Sequence, residues 1–321
     1  STKADGIYNF AGSNFTNAAK ITIGSNKKTG RFGINNHGTF KNNADATITI
    51  DETVSSGISN RGTFTNEADA TITIDETEGH GIFNGYSGDF TNSGGIEIGK
   101  NKKTGSTGIF NYNGGTFTNQ ANATLTIDET GDDGIENSSG TFTNNGGIEI
   151  GKNKEIRNVG IYNNAGTFTN ESNATITIDE TGGTGIFNNS GTFENSAKIT
   201  IGLNKTTGGH GIDNRASFYN KTGGVIQIEK TAQRGITTSG TFENLAKIKI
   251  GLNKKTGTYG IYNEADFFNN SGGGIHVEET GLSGIVNTSG NFNNSAKITV
   301  GINKKTKGNG IANKATFNNK V

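Results

Sequence analysis

The side chains that could carry out chemistry in this sequence are few in kind. The chain has 321 residues with four histidines and no cysteine, so thiol chemistry, disulfides and cysteine-based metal sites are excluded. No histidine lies near a repeated serine or carboxylate in the pattern of a catalytic triad or a metal cage. The sequence therefore predicts no enzyme and no cofactor. The four histidines are His37, His80, His210 and His276.

Acidic doublets form the second group, and in one place two of them follow each other with no basic segment between them. Carboxylate oxygens are the ligands that Ca²⁺ prefers, so these side chains are the candidate ligands if the chain binds a metal. The glycine-rich signature of calcium-binding β-rolls is absent, and we predict no metal site. The four candidates are Asp51, Glu52, Asp75 and Glu76.

Threonine pairs of the form Thr-x-Thr resemble the flat threonine arrays of ice-binding solenoids. Examples are the pairs at 63/65, 71/73, 116/118, 124/126 and 141/143, and Asp89, Glu97 and Glu149 are among the residues that interrupt the series. Ice binding through these arrays is an alternative function.

Lysine pairs recur in a loop of the form Asn-Lys-Lys-Thr-Gly. One interpretation is that these loops are only solvated corners. The other is that they form a row of lateral contacts with another copy of the chain or with a binding surface. The candidate contact residues are Lys27, Lys28, Lys102, Lys103, Lys254 and Lys255.

A repeat that covers the whole chain must position all these side chains. In the stretch Gly57 to His80, alternation places Ile58 and Asn60 on one face, and the same holds for the following Thr-Phe-Thr-Asn and Ala-Thr-Ile-Thr-Ile runs. Three short strands with turns too short for a crossover helix predict an all-β fold, a parallel β-helix (β-solenoid) of about 13 coils with 24–27 residues each. We number the coils from the Gly of each Gly-Ile pair, at positions 6, 33, 57, 81, 108, 134, 160, 185, 211, 235, 260, 284 and 310.

Stacked coils would place like residues on like. At a coil spacing of about 4.8 Å the predicted domain, residues 1–321, is a rod on the order of 60 Å long. One phenylalanine and two asparagines recur at fixed positions, and the only interruption of the asparagine after Gly-Ile is Thr238. Buried amides need partners, so we predict asparagine ladders beside a phenylalanine column. Representative members are Phe64, Phe117, Phe168, Phe218, Asn60, Asn66, Asn119 and Asn170.

Two kinds of coil alternate through most of the chain. In one, the last loop begins Asp-Glu-Thr; in the other it begins Gly-x-Asn-Lys and is three residues longer. We expect Lys27 and Lys28 near Asp51 and Glu52, and Lys102 and Lys103 between the acidic doublets of the neighbouring coils, because stacked like charges repel. The net charge of zero argues against nucleic acid or an anionic membrane as a partner.

The two ends carry no polar cap of the kind that solenoids use. The sequence shows no signal peptide and no run long enough to span a membrane, and it stops in mid-coil. We expect an uncapped slice of a longer repeat protein; the alternative is that the open ends stack on other copies.

The tandem GIxN, GTFTN and ATITI segments resemble the right-handed parallel β-helix repeats of large bacterial surface proteins. The most similar families are filamentous-haemagglutinin-like and autotransporter-type adhesins and related extracellular filament proteins. The resemblance implies right-handed coils, a location outside the cell or on the bacterial surface, and two kinds of partner: copies of the chain and a cell-surface or glycan receptor. It implies a rigid structural segment of an adhesin or filament. A carbohydrate-binding or carbohydrate-degrading β-helix is a further alternative, although no loop is longer than nine residues.

Overall fold

The computed structural model describes residues 4–320 and confirms the predicted fold class. The chain is an all-β parallel β-solenoid of about 13 turns with three strands per coil, and no helix occurs in the described residues. It follows that residues 4–320 contain no helix that is long and apolar enough to cross a membrane. The chain divides into two compact units, the first ending at Thr167 and the second beginning at Phe168.

The first unit repeats the three-strand pattern through coils 1 to 6. The strands that follow Gly-Ile are β1 (Ile7–Asn9), β4 (Ile34–Asn36), β7 (Ile58–Asn60), β10 (Ile82–Gly85), β13 (Ile109–Tyr112) and β16 (Ile135–Ser138). The second strands are β2 (Asn14–Asn17), β5 (Thr39–Asn42), β8 (Thr63–Asn66), β11 (Asp89–Asn92), β14 (Thr116–Asn119) and β17 (Thr141–Asn144). The third strands are β3 (Lys20–Ile23), β6 (Thr47–Ile50), β9 (Thr71–Ile74), β12 (Gly95–Ile98), β15 (Thr124–Ile127) and β18 (Gly147–Ile150).

In coils 7 and 8 the first two strands run on as one, giving β19 (Ile161–Asn170) and β21 (Ile186–Asn195). The turn between them is reduced to single residues with positive φ, Ala165 (59°) and Gly191 (93°). The remaining strands of the second unit are β20 (Thr175–Ile178), β22 (Lys198–Ile201), β23 (Ile212–Asn214), β24 (Ser217–Asn220), β25 (Val225–Ile228), β26 (Ile236–Thr238), β27 (Thr241–Asn244), β28 (Lys247–Ile250), β29 (Ile261–Asn263), β30 (Phe267–Asn269), β31 (Gly274–Val277), β32 (Ile285–Asn287), β33 (Asn291–Asn294), β34 (Lys297–Val300), β35 (Ile311–Asn313) and β36 (Thr316–Asn319).

The strands pair in parallel with the corresponding strands of the next coil, and the register places like residues opposite each other. Ile82 lies opposite Ile109 and Phe90 opposite Phe117 in the first unit, and Ile226 lies opposite Ile248 in the second. A shift of one residue would turn every inward side chain to the solvent. The repeat therefore fixes the register.

The corner before the third strand explains one variation in the sequence. In the coils with the shorter last loop this corner contains a residue in the left-handed region, as at Asp69 (φ 62°), Asn122 (66°) and Gly223 (90°). Asp, Asn and Gly are the residues that adopt this conformation at low cost. The polar tip of the corner is therefore set by backbone geometry.

Candidate functional site

The interior of each unit is built from columns of identical side chains. The phenylalanine rings stack at centroid distances of 4.7–4.9 Å with interplanar angles of 3–12°. Phe64 and Phe117 lie in the first unit and Phe168 and Phe218 in the second, and all four are fully buried. Burial of such rings supplies a large part of the apolar stabilisation that a thin core can provide.

The asparagine ladders of the first unit are confirmed. Each Nδ2 donates to Oδ1 of the equivalent asparagine one coil later, as from Asn60 to Asn84 (2.8 Å) and from Asn66 to Asn92 (2.8 Å). The second amide hydrogen is shared among nearby backbone carbonyl groups, as from Asn60 to Gly62 O (3.1 Å) and Asp89 O (3.0 Å). All the amides therefore point the same way, and the desolvation of each is offset by several hydrogen bonds.

The second unit shows what happens where the repeat fails. One ladder runs unbroken from Asn170 to Asn319, with Nδ2 to Oδ1 distances of 2.6–2.8 Å. In the other, Thr238 replaces the asparagine: its Oγ1 accepts from Asn214 Nδ2 (3.1 Å) and donates to Gly240 O (2.9 Å). The Thr238 hydroxyl has a single hydrogen, which it donates to Gly240 O, so it cannot also donate to Asn263. The ladder is interrupted at this point and resumes at Asn263, which donates to Asn287 (2.8 Å).

The two kinds of loop interact through a contact that we call the carboxylate clamp. Asp75 is buried, and its carboxylate accepts from Asn101 N (3.0 Å), Asn101 Nδ2 (2.8 Å) and Lys102 N (3.3 Å) of the next coil. The same contact joins Asp128 to Asn153. In the second unit it joins Asp179 to Asn204, Glu229 to Asn253, and Glu278 to Asn303.

The clamp keeps one buried carboxyl group ionised. Burial acts to raise the pKa of Glu278, but hydrogen bonds from Lys304 N, from His276 and from Asn303 outweigh it and lower the pKa to about 2. These hydrogen bonds are made to the ionised Glu278 carboxylate and stabilise it relative to the neutral acid. The loop asparagine was not among the residues that sequence reasoning singled out.

The lysine pairs divide into an engaged and an unengaged member. Lys102 pairs with Glu76 and lies 3.9 Å from Glu52, whereas Lys103 is exposed and forms no ion pair with any residue of 4–320. Lys254 Nζ donates to the carbonyl groups of Leu203 and Asn204 two coils earlier, and Lys255 is again without an ion pair in the described chain.

In coil 1 the roles of the two lysines are reversed. Lys28 pairs with Glu78, two coils later, and Lys27 is exposed. Among the described residues, Lys28 thus forms an ion pair with neither Asp51 nor Glu52, the partners suggested by the sequence, because its side chain reaches to the coil beyond.

The candidate calcium ligands are arranged as part of this loop column. Asp75 is held by the clamp, Glu76 and Glu52 lie near Lys102, and Asp51 is half-buried. No group of three or more His, Cys, Asp or Glu side chains in residues 4–320 is arranged to hold a metal ion.

The four histidines lie in four different environments. His37 stacks on Tyr8 with centroids 5.4 Å apart. Burial lowers the pKa of His80 to about 4, although the charge of Asp132 acts in the opposite direction. Burial also lowers the pKa of His210, and His276 bonds to Glu278. They are not brought together.

The threonine arrays lie on the outward faces of the second and third strands. Thr63 and Thr65 pair in register with Asp89 and Thr91, and the Thr116 and Thr141 pairs continue the columns. On the third strand, Glu97 and Glu149 interrupt the columns and pair with lysines of their own coils.

An aromatic cluster on the outer face of coils 4 and 5 was missed. Phe83 and Phe110 occupy the outward second position of the first strand, where coils 1, 7, 8 and 11 also carry Tyr or Phe. Tyr112 lies two residues after Phe110, and Tyr86 lies in the turn after β10. The signal that could have revealed it is the recurrence of Tyr or Phe at this outward position in several coils.

Comparison of this chain with protein-family models, with curated proteins and with solved structures found no match.

Proposed function

We propose that this chain is a structural segment of an extracellular bacterial surface protein, an adhesin or a filament, and that its role is mechanical. The observation that carries the proposal is the repetition of the same coil-to-coil contacts. A stacked phenylalanine, asparagine amide bonds and a strand ladder join successive coils within each unit. Repeated coil-to-coil contacts of this kind suit a protein that has to resist extension.

Pulling the chain from its two ends tests this role. Each coil that detaches releases 24–27 residues, which at full extension is on the order of 80 Å. We expect a series of steps of about that size. The variant Asn60→Ala, which removes one ladder amide, should lower the force of one step and leave the others unchanged. Release of a whole unit in a single low-force event would contradict a mechanical role.

Labelling of intact source cells with an antibody against the repeat tests the location. We expect labelling without permeabilisation, because the proposal places the chain on the outside. Labelling only after lysis would overturn the extracellular part of the proposal.

Lateral association is the second part of the role, and the division of the lysine pairs sharpens its test. Lys103 and Lys255 are the candidate contact residues, since Lys102 and Lys254 are engaged within the chain. Replacement of Lys103 and Lys255 by Ser should reduce bundling seen by electron microscopy without changing the melting temperature. The matched variant at Lys102 and Lys254 should leave bundling in place. Equal bundling of both variants would remove the lateral-contact hypothesis.

Ice binding is a second candidate, and one observation favours it. Outward threonines at 63, 65, 91, 116, 118, 141 and 143 stand in register on successive coils, and their side chains are at least partly accessible. Thermal hysteresis that disappears in Thr65→Lys/Thr118→Lys would support it. No hysteresis in the parent chain would dismiss it.

A further inference from the structure

The outer face of coils 2 to 5 carries a continuous group of planar side chains, which we call the aromatic face: His37, Arg61, Phe83, Tyr86, Phe110 and Tyr112. The Arg61 guanidinium lies 4.6 Å from the centre of the Tyr86 ring. Tyr86 meets Tyr112 edge to face at 5.8 Å, and Tyr112 lies 5.2 Å from Phe110. These groups support one another and form one surface.

The absence of a side chain at Gly85 leaves space for part of this surface. A Cβ atom at Gly85 would lie 2.8 Å from the Phe83 ring, so that ring lies over the strand only because position 85 has no side chain. At the other end, Arg61 and His37 line a groove of about 260 Å³ together with Tyr8, Arg31, Phe32 and Asn35. Tyr86 is 50% exposed, which is unusual for a large aromatic side chain in this protein.

Polar groups border the rings. Glu136 follows Phe110 in the strand register, and Ser138 follows Tyr112. Burial raises the pKa of Glu136 to about 6, and the charge of Asp132 acts in the same direction. A carboxyl group of this kind can accept a hydrogen bond from a hydroxyl group, or donate one when protonated.

From this combination we infer that the aromatic face binds an extended neutral glycan, with sugar rings stacked on the aromatic side chains and sugar hydroxyls bonded to the bordering polar groups. Flat rings favour ligands with flat apolar faces. The face carries both a cation, Arg61, and a bordering acid, Glu136, so neither sign of charge is matched across it and a neutral ligand is favoured. The spacing between coils is close to the length of one β-linked hexose residue, so successive sugars can meet successive coils. Glycan binding does not depend on the mechanical role proposed above. A negative binding experiment therefore leaves the mechanical role untouched, and a negative pulling experiment leaves glycan binding untouched.

The test is affinity electrophoresis of the full chain in gels that contain hydroxyethylcellulose, xylan or galactomannan, with polygalacturonate as the acidic contrast. We expect retardation by at least one neutral polymer and none by polygalacturonate. Tyr86→Ala/Tyr112→Ala should weaken the binding at least tenfold, whereas Tyr86→Phe/Tyr112→Phe should keep it, because phenylalanine retains the stacking surface. Tyr219→Ala, which removes a tyrosine of the second unit, is the matched control.

Tyrosine fluorescence gives an independent readout, since the chain has seven tyrosines and no tryptophan. Titration with the retarding polymer should quench the parent and not the double alanine variant. Circular dichroism should show equal melting temperatures for all variants. Three results would overturn the inference. The first is no retardation by any neutral polymer, and the second is equal retardation of the parent and the double alanine variant. The third is a parent chain that dimerises through this face and binds no glycan, with the dimer lost in the double alanine variant.

Discussion

At the scale of single residues, the inward asparagine combines two tasks in one short amide side chain. Its carbonyl oxygen accepts from one neighbouring coil while its amide donates to the next coil and to the turn, as Asn60 does. Threonine fills the same space but has a single hydrogen, and Thr238 therefore ends a ladder. The strict recurrence of asparagine follows from the number of hydrogen bonds that the site requires.

Thr238→Asn should therefore stabilise the chain. The new amide can accept from Asn214 and donate to Asn263, and a buried hydrogen bond of this kind contributes about 0.5 to 1.5 kcal/mol. The reverse exchange, Asn111→Thr, should destabilise by roughly 1 to 3 kcal/mol, because Asn137 loses its donor. Denaturant unfolding of both variants measures the effects; equal stability of Thr238→Asn and the parent would speak against the ladder as a source of stability.

A second residue-scale prediction concerns Asp133. Burial, with smaller contributions from Asp132 and Glu136, raises its pKa from 3.8 to about 7, although it accepts a hydrogen bond from Val159 N. Between these values the folded state holds a proton that the unfolded state has lost, so stability falls as the pH rises from about 4 to 7. Above pH 7 this group costs stability.

Asp133→Asn keeps the acceptor for Val159 and removes the charge. At pH 8 we expect the variant to be more stable than the parent by roughly 2 to 4 kcal/mol, with little difference at pH 4. Unfolding curves at both pH values, with the exposed Asp69→Asn as the control, measure the difference. A difference between Asp133→Asn and the parent that does not vary with pH would refute the assignment.

At the scale of loops, the carboxylate clamp explains why the two kinds of coil alternate. The longer Gly-x-Asn-Lys loop presents two backbone N–H groups and an amide to the buried carboxylate of the preceding coil. Its glycine is also required: Gly99 has φ 69°, and a Cβ atom there would lie 2.2 Å from Asp128 O of the following coil. The basic loop of coil 4 thus fits an acidic loop on both sides.

Asn101→Ala should lower the stability of the first unit by about 1.5 to 3 kcal/mol, the contribution of a hydrogen bond to a charged group. Asn26 occupies the same place in coil 1 and bonds to no carboxylate in residues 4–320, so Asn26→Ala is the control and should change little. Thermal unfolding followed by circular dichroism compares the two. Equal effects would mean that the clamp contributes nothing beyond loop packing.

At the scale of the whole molecule, the fold could be predicted because a stack turns a sequence repeat directly into contacts. Phe64 meets Phe90 because both occupy the same place in their coils, and no further information is needed. The clamp could not be predicted in this way: Asp75 and Asn101 occupy different places in different coils, and their meeting depends on the path of the longer loop. The aromatic face escaped prediction because the residue type at its outward positions varies from coil to coil, so the regular part of the repeat does not mark them.

Deletion of whole coils tests this view of the molecule. Removal of residues 81–133 takes out one basic and one acidic coil, so that Asp75 meets Asn153 and the clamp is restored. Removal of residues 81–107 takes out less of the chain but sets Asp75 against Asp128. We expect the larger deletion to have the higher melting temperature, since a buried carboxylate without donors costs roughly 2 to 4 kcal/mol. A higher melting temperature for the deletion of residues 81–107 would contradict this view of the molecule.

The duplicated acidic coil, coils 2 and 3, has a consequence for how such a gene can lengthen or shorten. Asp51 precedes another acidic loop and forms no clamp with any residue of 4–320, and it is half-buried, whereas Asp75 is buried. A tandem array of this design can gain or lose a basic and an acidic coil together without leaving a buried carboxylate unpaired. Natural length variants of this chain should therefore differ by even numbers of coils, except that loss of one of the two adjacent acidic coils should restore the alternation and leave no acid with the exposure of Asp51.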